Sequence, residues 1–236
     1  MGKANMFEDS ATIVENQLWR NRFLSEARAF LGRPRQGIHV TDLVFPRRAY
    51  FRIKHPEVMP TEEEVGRYIA GRGHHHVLEV LAALPEYREV EVAWNGIEGH
   101  IDVFEDAPVE IKTTRALRVA SAEEIKREYP FWIRQLGYYC AMTGKRKGRL
   151  VVFYLNVPTN SKNKIGLIPR LSVFEVEFRD LEEIKREMSR LKEALQMALD
   201  TDDPSGLEPC PSWMCEDCRF AEMCKQGNEG SANFSP

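Results

Sequence analysis

The chain lacks several features, each of which would have decided its class. It has no apolar run long enough to cross a membrane. The longest uncharged apolar runs, such as Leu150 to Val157, fall far short of the roughly 18 to 20 residues a span requires. No basic segment followed by an apolar core opens it, so the sequence reads as cytoplasmic, with no membrane partner. It has no basic excess either: 33 Lys plus Arg stand against 36 Asp plus Glu, a formal net charge of -3. That balance excludes a protein that coats nucleic acid by bulk charge, and it leaves room for a local basic groove. Internal repeats are absent, and 43% apolar with 29% charged residues excludes collagen-like, coiled-coil and disordered chains. A length of 236 residues suits one core with an appendage.

Cysteine is scarce except at one place. Of five cysteines, Cys210, Cys215, Cys218 and Cys224 fall in the last stretch, and Cys140 stands alone. Such clustering is how chains hold zinc or an iron–sulfur cluster, not how they build a disulfide framework in the cytosol. Cys140, within a helical stretch, reads as a small buried hydrophobe.

Periodicity supplies the elements. Ile13, Leu18, Phe23, Leu24 and Phe30 recur at helical spacing over residues 10–31, closed by Gly32 and Pro34. A short helix starts at Thr41. Thr61 followed by three glutamates is an N-cap with a dipole-matched first turn, predicting a helix to Leu84 that carries His74, His75 and His76. From Tyr87 the period becomes two: Val90, Val92 and Trp94 alternate with polar residues, Asn95-Gly96 turns, and Ile97 to Phe104 returns. A strand over 109–113, a helix over 121–142, strands over 149–157 and 167–178 flanking a polar loop at 160–164, and a helix over 180–199 follow. The order predicts an α/β fold, a mixed central sheet flanked by helices. Residues 1–200 form the core. Residues 201–227 comprise a linker (Asp-Pro-Ser-Gly in composition) and the four-cysteine module, and 228–236 read as a disordered tail.

The chemistry concentrates at Asp102 and at Glu110-Ile111-Lys112. Residues two apart in a strand share a face, so Glu110 and Lys112 point together and Ile111 points into the core. Asp102, on the neighbouring strand, brings a second carboxylate. Two converging carboxylates repel, and the usual relief is a hard divalent cation such as Mg²⁺ or Mn²⁺. A lysine beside it can orient or deprotonate water, or stabilise charge on a phosphate. The plain alternative is a Glu110–Lys112 surface salt bridge.

Asp102, Glu110-Ile111-Lys112-Thr113-Thr114, then Gln135 and Tyr139 on the next helix, together resemble the PD-(D/E)xK nuclease superfamily. Within it they are similar to the RecB-like nucleases and their CRISPR-associated branch, CRISPR-associated protein 4. The resemblance implies a metal-dependent DNA exonuclease acting on single strands or ends. His75, Asp102, Glu110 and the Ile111 carbonyl would hold the cation, Lys112 would assist, and Gln135 and Tyr139 would bind DNA and shape the site. Tyr138 is the substitute should the helix be rotated. The family's histidine register in Gly71-Arg72-Gly73-His74-His75-His76 selects His75, whereas the stripe Val77, Leu78, Leu81 and Leu84 puts His74 nearer its centre.

Thr41 to Phe51 resembles that branch's amino-terminal element, in which a cysteine precedes Pro-Arg-Arg and joins three later cysteines around a [4Fe-4S] cluster. Phe45 stands in the cysteine's place here, so Cys210 is the candidate fourth ligand beside Cys215, Cys218 and Cys224. A local four-thiolate set suits structural zinc equally, and in either case the metal would not join the chain's two ends. Among basic groups, Arg48 and Arg72 stand out as DNA contacts, with Lys145 to Arg149, Lys162 and Lys164 as further cations and Tyr139, Trp132 or Tyr154 available to stack bases. The competing class is a DNA-end binding or adaptor subunit serving a recombinase, helicase or CRISPR integrase.

Overall fold

The computed structural model describes residues 17–33, 35–161 and 164–229. Helices α1 (Gln17–Leu31), α2 (Val40–Val44), α3 (Pro46–Lys54) and α4 (Glu62–Ala82) precede most of the sheet, with strand β1 (Ile38–His39) between the first two. Strands β2 (Arg88–Trp94), β3 (Ile97–Phe104) and β4 (Pro108–Thr114) follow, then helices α5 (Ala122–Glu128) and α6 (Pro130–Thr143). Strands β5 (Lys147–Ser161) and β6 (Lys164–Glu177), then helices α7 (Leu181–Thr201), α8 (Ser212–Cys215) and α9 (Ala221–Glu229), complete the chain. Among the described residues the strands form one six-stranded mixed sheet in the order β1-β3-β4-β5-β6, with β2 on β3. This is the expected α/β architecture.

Local chemistry sets the boundaries. Thr61 accepts the Glu64 N–H at 3.1 Å and Glu64 answers to the Thr61 N–H at 3.3 Å, a capping box that starts α4. Asn95 and Gly96 turn the β2–β3 hairpin with φ of 50° and 68°, the left-handed pair that matches strand twist. The single helix expected over 121–142 is instead two. Pro130 has no N–H to continue the ladder and pushes Tyr129 out of the helical region, to φ -129° and ψ 47°. The polar segment expected to be a loop pairs as the end of the β5–β6 hairpin, Asn160 with Ile165 and Ser161 with Lys164. Residues 10–16 of the first helix, Lys162, the Lys164 side chain, and 230–236 of the tail lie outside the described residues.

One topological detail positions the site. Strand β2 pairs along β3 from Ile97 to Val103, so β1 and β4 must share the other edge. Strand β1 takes Ile97 and Glu98 at one end, and β4 takes Val103 and Phe104 at the other. Residues 99–102 face the gap between them. Val103, Val109 and Ile111 pack on Leu78 and Ala83 on and just beyond α4. Leu150, Val152 and Tyr154 pack under α5 and α6 on the other face.

Of the apolar stripe on α4 and just beyond it, Leu78 packs on the sheet, while Leu81 is 77% exposed and Val77 and Leu84 are exposed too. Leu18, Phe23 and Phe30 on α1 are likewise exposed. The segment after α7 is tied down despite its linker composition. Arg47 donates to the carbonyls of Pro204 and Ser205, both at 3.1 Å, and Leu207 is buried. Phe220 stacks on Phe51, so α3 and the cysteine module meet through packing, whatever the cysteines hold.

Candidate active site

The gap in β3 collects the predicted residues. Asp102 Oδ2 accepts the Ile111 N–H at 2.6 Å, standing in for the backbone pairing that β3 and β4 do not make there. Its other oxygen lies 3.2 Å from His75 Nε2. Glu110 is 1% exposed and receives Lys112 Nζ at 2.5 Å, while Lys112 also donates to Gln135 Oε1 at 3.0 Å. Ile111 turns to the opposite face, as strand alternation requires. The Tyr139 hydroxyl lies near the Gln135 side chain and the backbone of His100. Tyr139 lies so close to Gly99 that a Cβ there would come within 2.7 Å of its ring, which is why glycine occupies the gap.

The three histidines separate clearly. His75 faces Asp102. His74 turns its Nδ1 to the Ala70 carbonyl at 2.6 Å and its ring to Phe153, and His76 is exposed. Tyr138 points away from the site and donates to Glu187 at 3.1 Å.

Two carboxylates that sequence reasoning did not single out complete the cluster. Glu79, one helical turn beyond His75 and 2% exposed, places Oε1 at 2.8 Å from His75 Nε2. Glu89 precedes Val90 in β2, where the register puts it opposite Asp102, and its left-handed backbone (φ 49°) is unusual for a non-glycine residue. Arg72 bonds Glu89 at 2.7 Å and sits 3.9 Å from Glu79, so it neutralises this cluster. The i to i+4 spacing of His75 and Glu79 was a legible signal. Glu89 was not legible, because only the hairpin register brings it in.

The electrostatics are those of a site built around positive charge. Burial drives Glu110 from its ordinary 4.5 up to about 7, with Asp102 adding to the effect and Lys112 opposing it. Burial likewise raises Glu79, helped by Glu89 and Asp102 and resisted by His75. Burial works against charge on His75, yet Asp102 and Glu79 outweigh it and raise its pKa. Burial raises the Tyr139 phenol as well. Buried atoms without a hydrogen-bond partner include His75 Nε2, Glu79 Oε1 and Glu110 Oε2. Orphaned nitrogen and oxygen lone pairs converging in a protein interior fit a hard divalent cation. Among the described residues, the group of three or more His, Cys, Asp or Glu whose ligand atoms all approach within 4.8 Å is His75, Glu79 and Glu89.

The remaining predicted residues distribute differently. Trp132 stacks on Tyr129 at 4.0 Å inside the core, the Tyr154 hydroxyl accepts the Ala120 N–H, and Tyr139 is 3% exposed. None of the three rings is open to a base, because each fills the space between helix and sheet. Arg48 pairs with Glu64 at 3.3 Å. The four carboxy-terminal thiols have no three sulfurs within 4.8 Å of one another. Cys210 nevertheless lies near Cys218 and Cys215: burial raises its thiol to about 11, those two thiols add to the shift, and the Arg48 backbone opposes it.

A sheet of this topology, with an Asp on one strand and Glu-x-Lys on the next around a cation-seeking cluster, defines a metal-dependent phosphodiesterase core. The family model of the PD-(D/E)XK nuclease superfamily matches residues 6–225, and the chain belongs to that superfamily. PD-(D/E)XK nucleases use divalent metals such as Mg²⁺ or Mn²⁺, and the substrate class is DNA. Among solved structures, the chain is similar to SSO0001 at 22% identity and a TM-score of 0.57, over 89% of this chain and 98% of that one. A phage-related exonuclease from Haemophilus somnus 129PT matches at 11% identity and TM-score 0.41, covering 85% and 88% of the two chains. The alkaline exonuclease LHK-Exo from Laribacter hongkongensis matches at 16% and 0.38, covering 75% and 95%. No curated protein matches significantly. No helix among the described residues is long and apolar enough to cross a membrane.

Proposed function

We propose that the chain is a DNA exonuclease of the RecB-like, CRISPR-associated type that works on single strands or ends. The observation that carries the reading is the gathering of His75, Asp102, Glu110 and Lys112 at the gap in β3, where His75 Nε2, Glu79 Oε1 and Glu110 Oε2 are buried without a hydrogen-bond partner. His75, Asp102, Glu110 and the Ile111 carbonyl would hold the cation, with Glu79 flanking His75. Bound there, a divalent cation supplies Lewis acidity toward a phosphodiester and lowers the pKa of water. Lys112, fixed between Glu110 and Gln135, places an ammonium where negative charge develops on the phosphate or where a water must be oriented. Gln135 acts by holding Lys112, and Tyr139 by shaping the gap at Gly99. Arg48 and Arg72 contribute positive charge on either side.

The cysteine module is read as a metal-holding appendage, a [4Fe-4S] cluster or structural zinc at Cys210, Cys215, Cys218 and Cys224. The spacing and the mutual proximity of Cys210, Cys215 and Cys218 support it. The thiols must draw together to do so.

The test is a time course with 5′- and 3′-labelled single- and double-stranded DNA in Mg²⁺ or Mn²⁺. Progressive shortening from one end, faster on single strands, supports the reading and fixes the polarity. Tight DNA binding without cleavage by metal-replete protein would move the assignment to an end-binding subunit of a recombination, helicase or integrase complex.

A further inference from the structure

Strand β6 ends the sheet. Among the described residues β5 is its one strand partner, so the backbone N–H and C=O groups along its other side have no strand to bond. Such an edge invites another strand, and proteins usually blunt it with charge or proline. Here the blunting leaves an opening. Pro169 has no N–H, and Glu175 and Glu177 carry charge, but the residues between are Arg170-Leu171-Ser172-Val173-Phe174. Two of them hold apolar side chains in solvent: Leu171 is 54% and Val173 57% exposed. Five residues is an ordinary strand length.

The cover on the sheet accounts for that exposure. Helix α4 reaches across the sheet to β5, where Leu78 packs with the cluster that includes Val151 and the His74 ring meets Phe153. Leu171 and Val173 are left in the open. Val151 stands opposite Val173, and Phe153 opposite Leu171. Each row on this face is therefore an apolar pair that stops at the edge. Phe174 and Val176 point to the other face, under α5 and α6.

Strand geometry decides what can continue both rows. Directly opposite residues in an antiparallel pair share a face, so β6 can meet a second β6 only in registers that keep its alternation. Centring on Ser172 pairs the five residues wholly among themselves. Leu171 then faces Val173 of the second copy, and each two-residue row becomes a row of four across the junction: Val151, Val173, Leu171 and Phe153. On the other face Arg170 comes opposite Phe174, a guanidinium beside a ring. Pro169 falls opposite Glu175 and closes the ladder at both ends. Moving the centre to Val173 puts Leu171 against Glu175, and moving it to Leu171 puts Val173 against Pro169. The opening is self-complementary, as an isologous two-fold contact requires.

We propose that the chain forms a two-fold dimer by antiparallel pairing of β6 with β6 of a second copy, in the register centred on Ser172. Strands β4 and β5 stand between this edge and the gap in β3, so the contact lies away from the catalytic cluster. The dimer does not depend on what the chain cleaves.

The experiment is sedimentation of the full chain over a range of concentrations, with nonreducing electrophoresis of two cysteine variants. A species of doubled mass is expected as concentration rises. Val173→Lys sets an ammonium in both rows and is expected to loosen the dimer roughly tenfold or more, because one substitution acts twice across a two-fold axis. The side chain it replaces is exposed, and circular dichroism checks that the variant is folded. Ser172→Cys brings two thiols face to face and is expected to give a disulfide-linked dimer on mild oxidation, above the level the native cysteines give. Glu175→Cys, opposite Pro169, is expected to give none above that level. A native chain that stays monomeric at every concentration, a dimer that Val173→Lys leaves unchanged, or a Ser172→Cys chain that links no better than Glu175→Cys would overturn the proposal.

Discussion

Asp102 divides its carboxylate between two tasks: one oxygen accepts the Ile111 N–H at 2.6 Å and the other faces His75 Nε2 at 3.2 Å. The first task is structural, and the second is the one the proposed cation would take over. Asp102→Asn keeps an oxygen for Ile111, so its unfolding midpoint should stay near that of the native chain while Mn²⁺ affinity falls sharply. Asp102→Ala strands a buried N–H and should cost about 1–3 kcal/mol as well. Chemical denaturation and metal titration of the two variants side by side check both halves.

Gly99 is expected to tolerate nothing larger. A methyl group there meets the Tyr139 ring at 2.7 Å and Val40 at 3.0 Å, and neither buried side chain has room to move. Gly99→Ala should lower stability by about 1–3 kcal/mol through overpacking. It should lower DNA cleavage further, because Tyr139 lies beside Gln135, which holds Lys112. Unchanged cleavage in a folded variant would show that Tyr139 is not part of the catalytic support.

The metal-free protein should be less stable at high pH than at low pH on account of Glu110. Its pKa rises from 4.5 to about 7 on folding, so the folded state binds the proton more tightly than the unfolded one. The associated stability is fully present below about 4.5 and is lost as pH rises through about 7. Glu110→Gln should flatten that part of the pH–stability profile measured in EDTA. In the native chain, apparent Mg²⁺ or Mn²⁺ affinity should weaken as pH drops below about 7, because proton and cation compete for one carboxylate.

Removing a cysteine should be felt in metal content before fold. Cys210→Ala is expected to lower the iron or zinc content of the purified chain, as read by elemental analysis and by the visible absorbance band. Phe220→Ala, which removes the ring that stacks on Phe51, should destabilise the chain by about 3–5 kcal/mol. Metal content unchanged in Cys210→Ala would remove Cys210 from the ligand set.

The parts legible in the sequence were those written in local chemistry. The Thr61 cap, the Asn95-Gly96 turn, the alternation through β2 and β3, and the shared face of Glu110 and Lys112 all follow from neighbours a few residues apart. The stripe on α4 misled because periodicity marks an apolar face without saying what covers it: Leu78 packs on the sheet while Leu81 is left in solvent. Pro130 carried its own signal, a missing N–H, that the apolar pattern on either side concealed. The placing of Glu89 and the docking of Arg47 onto residues 204 and 205 depend on segments far apart in the chain, and no local rule brings them together.

The most direct test of the account is the rate at which the intact chain degrades end-labelled single-stranded DNA in Mn²⁺, measured for the native protein, Lys112→Ala and Glu110→Ala. The account predicts metal-dependent cleavage by the native chain and its loss in both variants, with Lys112→Ala still folded and still binding Mn²⁺. Cleavage at the native rate by Lys112→Ala, or none from metal-replete native protein, would contradict it.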